Sequence, residues 1–416
     1  MKLLHLSDLH LGKRVNAFSM LEDQRYILEE ILSLAVDRRV DGVLLAGDLY
    51  DKPVPPAEAV TLLDQFLTRL ARAGIPVFAI SGNHDSPERL NFAVRLLAGE
   101  GIHLTALYQG PQPPAILRDE HGEVALYALP YLKPALVRHW EAEAAVSTYE
   151  EAVAWAIGQW TVDQTRRNVL LAHQFVTGGV TCESEERSVG GLDQVSAGLF
   201  APFDYVALGH LHGPQSVGRP TLRYSGSPLK YSFSECGQEK SVTLVTLGAK
   251  GAVGLEAVPL HPRRDLREIR GNYETLTARS FYQGTCREDY LHVILTDEED
   301  VPEAMGKLRA LRPEVLTLGT IQMDDREKTV AVDGDPVALT PTEYDILKLL
   351  LEHPGQVFSP REIYRKVWKD APFGSENTVA VHIRHLREKI EIDPAEPRYL
   401  KVVWGQGYKL EKGMRT

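Results

Sequence analysis

Five short clusters of oxygen and nitrogen donors punctuate the first half of the chain: Asp8-Leu-His10, Gly47-Asp48, Gly82-Asn83-His84-Asp85, Ala172-His173 and Gly209-His210-Leu-His212. Carboxylate, carboxamide and imidazole without thiolate form a donor set that suits Mn2+, and that Fe2+ or Zn2+ would also accept. A divalent ion held by such donors can acidify a bound water. A single D-x-H, or one histidine after a strand, is most often a structural hydrogen-bonding residue. Five pieces in this order make a metal site the favoured reading. His5, His103, His121, His139, His261 and His292 lack such a setting and read as structural.

Each cluster follows a short apolar run: Leu3 to Leu6, Gly42 to Ala46, Val77 to Ile80, Val169 to Ala172, and Tyr205 to Leu208. Between the first two runs Leu21, Ile27, Leu28, Ile31, Leu34 and Ala35 recur at helical spacing, and Val60, Leu63, Phe66, Leu67 and Leu70 do so before the third. Strands alternating with helices predict an α/β core, in which the carboxyl ends of the strands converge on one crevice. In extended backbone residues i and i+2 project to one face about 6.6 Å apart, so Asp8 with His10, and His210 with His212, can address neighbouring ions. Glycine before Asp48, Asn83 and His210 permits tight turns. Gly110-Pro-Gln-Pro-Pro marks a loop, and Trp140 to Trp160 reads as an Ala-rich surface helix.

At 416 residues the chain should hold roughly three domains. From about residue 260 the texture changes. Arg263, Arg264, Arg267 and Arg270 precede a strand Tyr290 to Leu295 and a helix Val301 to Leu311, a small α+β appendage over 261–320. After residue 320 come a short β meander, helices Thr342 to Glu352, Pro360 to Trp368 and Asn377 to Ile390, and a closing hairpin Tyr399 to Leu410.

Composition is that of a globular protein, 44% hydrophobic and 25% charged. The net charge of −11 argues against a generally basic nucleic-acid binder. Cys182, Cys236 and Cys286 form no C-x-x-C pair and read as reduced thiols, so a cytoplasmic location is expected. No signal peptide and no run long enough to span a membrane is seen, so no membrane partner is expected.

The donor clusters resemble the signature of the calcineurin-like metallophosphoesterases, D-x-H, GD, GNH(D/E), H and GHxH in that order. Longer stretches resemble the SbcD/Mre11-type nuclease subunits: LHLSDLHLGKR, LLAGDLYDKPVPP, ISGNHDSPERL, HQFVTGG, FDYVALGHLHGPQ and RYSGSPLKYSFSE. The similarity runs to about residue 318, since YLHVILTDEEDVPEAMGKLRALRPEVL looks like that family's capping domain. The resemblance implies a metallophosphoesterase β-sandwich flanked by helices over 1–260 and a capping domain over 261–320. It implies one metal ion held by Asp8, His10, Asp48 and His212, and a second by Asp48, Asn83, His173 and His210. Manganese is the favoured metal on family grounds.

His84 would face the scissile phosphate, stabilise the transition state and protonate the leaving group. Asp85 would orient that imidazole or cap the helix that follows. Lys13, Arg14, Arg89 and Lys230, beside the motifs, are candidate DNA contacts. The implied activity is 3′ to 5′ exonuclease action on duplex ends and endonuclease action on hairpins or single strands, in DNA replication, recombination and repair. The implied partners are DNA and an SbcC-like SMC-type ATPase, with a homodimer as a further possibility.

Residues 321–412 depart from that family. LTPTEYDILKLLLEHPGQVFSPREIYRKVW, NTVAVHIRHLREKI and YLKVVWGQGYKL resemble the winged-helix effector domain of OmpR/PhoB-type response regulators. In the helix from Asn377, Val379, Ile383, Leu386 and Ile390 form an apolar stripe that would bury against the first two helices. Thr378, His382, Arg384, His385, Arg387 and Lys389 lie on the other faces. The resemblance makes this the recognition helix, with Arg384 and Arg387 the better candidates for base or phosphate contact. Gly405-Gln406-Gly407-Tyr408 would be the wing. The winged helix stands where SbcD-like subunits grip their ATPase, which bears on partner choice. Two other readings are a sequence-specific regulator with the phosphoesterase part as scaffold, and a phosphoesterase of small molecules. The second module is nearly neutral, so the acidic surplus lies in the nuclease-like part. Bound divalent charge would have to offset it where phosphate docks.

Overall fold

The computed structural model describes the chain apart from residues 17, 142–143, 183, 186–192, 284, 287, 298–300, 302–303, 305–306, 309–314, 319–320, 325–327, 333–334, 354, 369–376, 392–393, 395–396, 398, 404–405 and 411–416. It divides into two compact units, one of Met1–Val15 with Ser19–Asp265, the other of Asn16–Phe18 with Leu266–Thr416.

The first unit is built on two six-stranded sheets. One carries Val253–Pro259, Ser241–Leu247, Lys2–Leu6, Gly42–Ala46, Val77–Ile80 and Ile102–Thr105 in spatial order. Its last four strands run parallel, and its first two are antiparallel to their neighbours. The other carries Gln215–Val217, Arg219–Tyr224, Tyr205–Gly209, Arg167–His173, Gly122–Leu129 and Ala115–Asp119. Side-chain alternation assembles the sandwich. Leu3, Leu44, Phe78 and Ile80 from the first sheet meet Leu126, Leu171 and Tyr205 from the second in one buried cluster. The alternate residues Tyr127, Leu129, Leu170, Ala172, Val206 and Leu208 face outward and are buried under other elements. Strands buried on both faces therefore read as continuous apolar runs.

Helices Leu21–Asp37 and Ala57–Arg72 pack on each other, and the second also on strand Val77–Ile80. Over the second sheet the single surface helix expected for Trp140 to Trp160 is corrected to two, Pro134–Trp140 and Tyr149–Gly158. Thr148 and Glu151 form a capping box that starts the second helix, and its Ala152, Val153, Ala156 and Ile157 are buried. Small residues there mark a helix pressed closely onto a sheet.

In the second unit a parallel three-stranded sheet of Leu266–Gly271, Tyr290–Leu295 and Val315–Leu318 holds the cluster Leu276, Leu291, Val293 and Leu308. Ala304, Lys307 and Leu308 are helical, and the rest of the helix expected over Val301 to Leu311 lies largely outside the described residues. After it come the meander Ile321–Asp324, Thr329–Val332 and Asp335–Pro336, helices Pro341–Leu351, Pro360–Trp368 and Asn377–Ile390, and the hairpin Leu400–Val403 with Gly407–Leu410. The stripe Val379, Ile383, Leu386 and Ile390 is at most 2% exposed and packs with Ile346, Leu347, Leu350 and Ile363. Three helices and a hairpin around one apolar centre are a winged helix. Among the described residues no helix is long and apolar enough to cross a membrane.

Candidate metal centre and nucleic-acid face

The five strand ends of the sandwich meet at one place. Backbone there is bent sharply: Asp8, His10, Asp48 and His210 all have positive φ, at 53°, 43°, 50° and 108°. Such residues cost about 1 to 3 kcal/mol each and persist only where the surroundings over-determine them. Here the Asp8 and His10 amides donate to the carbonyls of Gly47 and Asp48, at 3.1 and 3.0 Å, locking the first two loops together. The His210 amide donates to Asp8 Oδ1 at 3.0 Å and ties in the fifth.

Of the three glycines expected to permit tight turns, Gly47 does so with a φ of 88°, whereas Gly82 and Gly209 serve space more than turn geometry. A Cβ on Gly209 would stand 1.8 Å from the Ala46 carbonyl oxygen, and one on Gly82 2.1 Å from Asp48 Oδ1. Neither has positive φ. Backbone and carboxylate approach so closely that a methyl group has no room.

The seven expected ligands come together. Asp8, Asp48 and His173 place ligand atoms within 4.8 Å of one another, as do Asp8, His10 and His212. Asn83 Oδ1 lies 3.0 Å from His173 Nε2 and 2.9 Å from His210 Nδ1. The first of these contacts is informative. His173 Nδ1 is 2.8 Å from the Ala46 carbonyl, to which it must donate, so in the neutral ring Nε2 offers a lone pair to another acceptor. His10 Nε2 and His212 Nε2 face each other at 3.0 Å and can share one proton between them, which leaves the lone pair of His10 Nδ1 buried with no hydrogen-bond partner. An acceptor aimed at an acceptor beside a buried lone pair with no partner calls for cations, and the donor set fits a divalent pair.

In the metal-free chain protons take that place. Burial opposes charge on His173, but the Asp48 carboxylate beside it overrides this and lifts its pKa to about 9. His212 rises to about 10 against burial, through its contacts with Cys182 and Glu235. For His210 burial prevails, lowering it to about 3, and His10 is likewise held low by burial. Asp48 is buried too, yet His173 and His84 hold its carboxyl well below the usual range. Asp8 is pushed up by burial to about 6.

His84 is half-buried at the rim. Its amide donates to Asp48 Oδ1 at 2.8 Å, and its Nδ1 lies 3.0 Å from the Asp51 carbonyl. That contact leaves Nε2 as the nitrogen able to exchange a proton. Asp85 does not orient this ring, and it does not cap the helix Pro87–Leu90. Its carboxylate accepts from the amides of Leu49, Tyr50 and Gly82, at 3.1, 2.9 and 2.9 Å. It therefore braces the two loops that carry Asp48 and Asn83, and the expected catalytic part is corrected to a positioning one. A residue five beyond the end of strand Val77–Ile80 reaches the neighbouring loop's amides more easily than the ring next to it in sequence.

Several residues of the site escaped the sequence reading. His212 Nδ1 lies 2.9 Å from Ser184 Oγ, which donates to Glu235 Oε1 at 2.5 Å. Glu235 is fully buried and paired with buried Lys240, whose ammonium also reaches Ser227 Oγ and the His212 carbonyl, both at 2.9 Å. Such a chain fixes a ligating imidazole's tautomer. Tyr131 stacks beside His210 at a centroid distance of 6.4 Å. The only sequence signal for Glu235 was its place in RYSGSPLKYSFSE.

Of the expected DNA contacts, Arg14 and Arg89 are exposed. Lys13 is tied to Asp51 at 3.0 Å, and Lys230 to Asp265 and the Cys236 carbonyl, at 2.9 and 3.0 Å. Their side chains are only 15% and 10% exposed, so both are corrected to internal ties. On helix Asn377–Ile390 Thr378, Arg384 and His385 are exposed and His382 is half-buried. Arg387 donates twice to the Leu400 carbonyl, at 3.0 and 2.6 Å, and Lys389 pairs with Glu343 at 2.6 Å. These two turn back into the module because they flank the buried stripe. The wing position Gly405 lies outside the described residues.

Comparison with known proteins finds three family models along the chain. The family described as calcineurin-like phosphoesterase matches residues 1–214. The type 5 capsule protein repressor C-terminal domain matches 262–351, and the transcriptional regulatory protein C-terminal domain matches 334–410. The SbcD component of the nuclease SbcCD of Staphylococcus epidermidis is 33% identical over 331 residues, 79% of this chain and 87% of its own. Among solved structures, the Klebsiella pneumoniae RstA DNA-binding domain in complex with the RstA box is 27% identical over 23% of this chain and 94% of its own, TM-score 0.22. The AdeR DNA-binding domain in complex with an intercistronic region is 28% identical over 24% of this chain and 100% of its own, TM-score 0.20.

Proposed function

Because the chain belongs to the SbcD-type nucleases of the calcineurin-like phosphoesterase family, with an OmpR/PhoB-type winged helix at its C-terminal end, we propose that it hydrolyses DNA at the cluster of strand ends around Asp48. The reaction is 3′ to 5′ exonuclease cleavage of duplex ends and endonuclease cleavage of hairpins and single strands. The observation that carries this reading is the buried set of acceptors aimed at one another. It includes His173 Nε2 against Asn83 Oδ1 at 3.0 Å, beside the buried, unpartnered Nδ1 of His10.

Asp8, His10, Asp48 and His212 would hold one divalent ion, and Asp48, Asn83, His173 and His210 the other, with Mn2+ the favoured metal. When bound, the pair supplies the Lewis acidity and positive charge for attack of water on a phosphodiester. The chain's own part is orientation and proton handling. Asp85 holds the Asp48 and Asn83 loops in register. His84, hinged on the Asp51 carbonyl, delivers a proton through Nε2 to the 3′ oxygen as its bond to phosphorus breaks.

DNA is the substrate, and an SbcC-like ATPase is the proposed partner, by likeness to the staphylococcal SbcD protein. The winged helix would add a DNA contact through Thr378, Arg384 and His385.

Incubating end-labelled duplex and hairpin DNA with the full chain and Mn2+ tests the reading. Cleavage should fall steeply in His84→Ala and vanish in Asp48→Ala. Rapid hydrolysis of a small aryl phosphate with neither DNA cut would overturn it.

A further inference from the structure

We propose that the winged-helix module carries a metal site of its own, for a borderline divalent cation such as Zn2+, formed by His382, His385 and Glu343. One nitrogen of each ring and one carboxylate oxygen lie within 4.8 Å of one another, all inside the second unit. His382 and His385 are three residues apart on helix Asn377–Ile390, so they share a face. Glu343 comes from helix Pro341–Leu351, where it is the third helical residue and closes a capping box with Thr340.

Two details separate this group from an ordinary polar surface. Nδ1 of His382 is buried without a hydrogen-bond partner, a position that costs about 1 to 3 kcal/mol unless something occupies it. The oxygens of Glu343 also divide their work. Oε2 accepts from the Thr340 amide at 2.8 Å and from Lys389 at 2.6 Å, while Oε1 is the oxygen nearest His385 Nδ1, at 4.0 Å. The cap and the ion pair hold the carboxylate in place and leave one oxygen turned to the imidazoles.

A tetrahedral ion with bonds of about 2.0 to 2.2 Å needs donors roughly 3.3 Å apart, so the three must close inward. His385, with its side chain 48% exposed, can turn to meet the others, and water can supply the fourth ligand. Two imidazoles and one carboxylate select Zn2+, Ni2+ or Cu2+ over Mg2+ or Ca2+. The nearby Lys389 ammonium opposes a cation, so the site should be weaker than a closed structural zinc site. Occupied, it would clamp the recognition helix to the first helix and withdraw His382 and His385 from DNA.

The test uses the full chain with 13C-labelled histidine rings, titrated with Zn2+ and separately with Mg2+. Zn2+ should move the His382 and His385 resonances together, and Mg2+ should leave both in place. His385→Gln, a change at a half-exposed position, should abolish the response of His382 and lower bound zinc by one ion per chain. Histidines of the phosphoesterase unit should respond equally in wild type and variant. Independent behaviour of the two resonances, or equal zinc content in wild type and His385→Gln, would overturn the site.

Discussion

Glu235→Gln separates two roles that the buried Glu235–Lys240 pair could play. Glu235 accepts from Ser184 and the Tyr231 amide at 2.5 and 3.2 Å through one oxygen, and holds Lys240 through the other. The amide keeps the shape and removes the charge. Lys240 then stays buried opposite a neutral group, and breaking such a pair costs about 3 to 5 kcal/mol of stability. If Glu235 also fixes the His212 tautomer through Ser184, metal affinity should fall about 10- to 100-fold, which is about 1.4 to 2.8 kcal/mol.

Glu235→Gln combined with Lys240→Met removes both charges. It should recover most of the stability without recovering the metal affinity. Denaturant unfolding of the metal-free chain and calorimetric Mn2+ titration measure the two quantities separately. If Glu235→Gln unfolds early yet binds Mn2+ as tightly as wild type, the chain through Ser184 does not position His212 and the reasoning fails.

Metal uptake should release protons. His173 and His212 are raised from 6.5 to about 9 and about 10, so both are protonated at neutral pH and must shed about two protons to ligate. Mn2+ affinity should therefore climb as pH rises toward 9, as calorimetry in buffers of different ionisation enthalpy would show. By the same sign these two imidazoliums stabilise the metal-free fold fully below pH 6.5, and that contribution is lost as pH passes through 9 to 10. Asp85→Ala leaves three buried amides unpaired, at about 1 to 3 kcal/mol each before water enters. It should weaken Mn2+ binding as well as stability in the same two measurements. Arg384→Ala should lower DNA affinity in a mobility-shift titration without altering the unfolding midpoint. Arg387→Ala should do the reverse, because its guanidinium holds the Leu400 carbonyl. Leu386→Ala should cost the second unit about 2 to 5 kcal/mol, since its side chain is fully buried.

Periodicity and chemistry made much of this protein legible before any coordinates. Apolar runs ending in Asp8, Asp48, Asn83, His173 and His210 forecast strands with donors at their ends, and the alternation in Asn377–Ile390 forecast its buried stripe. Both are local patterns, set by the 2.0 and 3.6 residue repeats. What failed was the fate of charged side chains. Lys13, Lys230, Arg387 and Lys389 sit beside motifs and look like surface cations, yet each is bonded to a partner distant in sequence, such as Asp265 for Lys230 and Glu343 for Lys389.

The sequence by itself determined the donor inventory, the order along the chain of the strands that carry it, and the buried stripe of helix Asn377–Ile390. Only the tertiary structure decided which donors meet. It brought His10 against His212, turned Asp85 onto two amides of the loop that carries Asp48, set Glu235 behind His212, and carried Glu343 to the helix Asn377–Ile390. Each of these contacts joins separate elements. Local spacing can say which way a side chain points, but the partner waiting there is fixed by how whole sheets and helices pack.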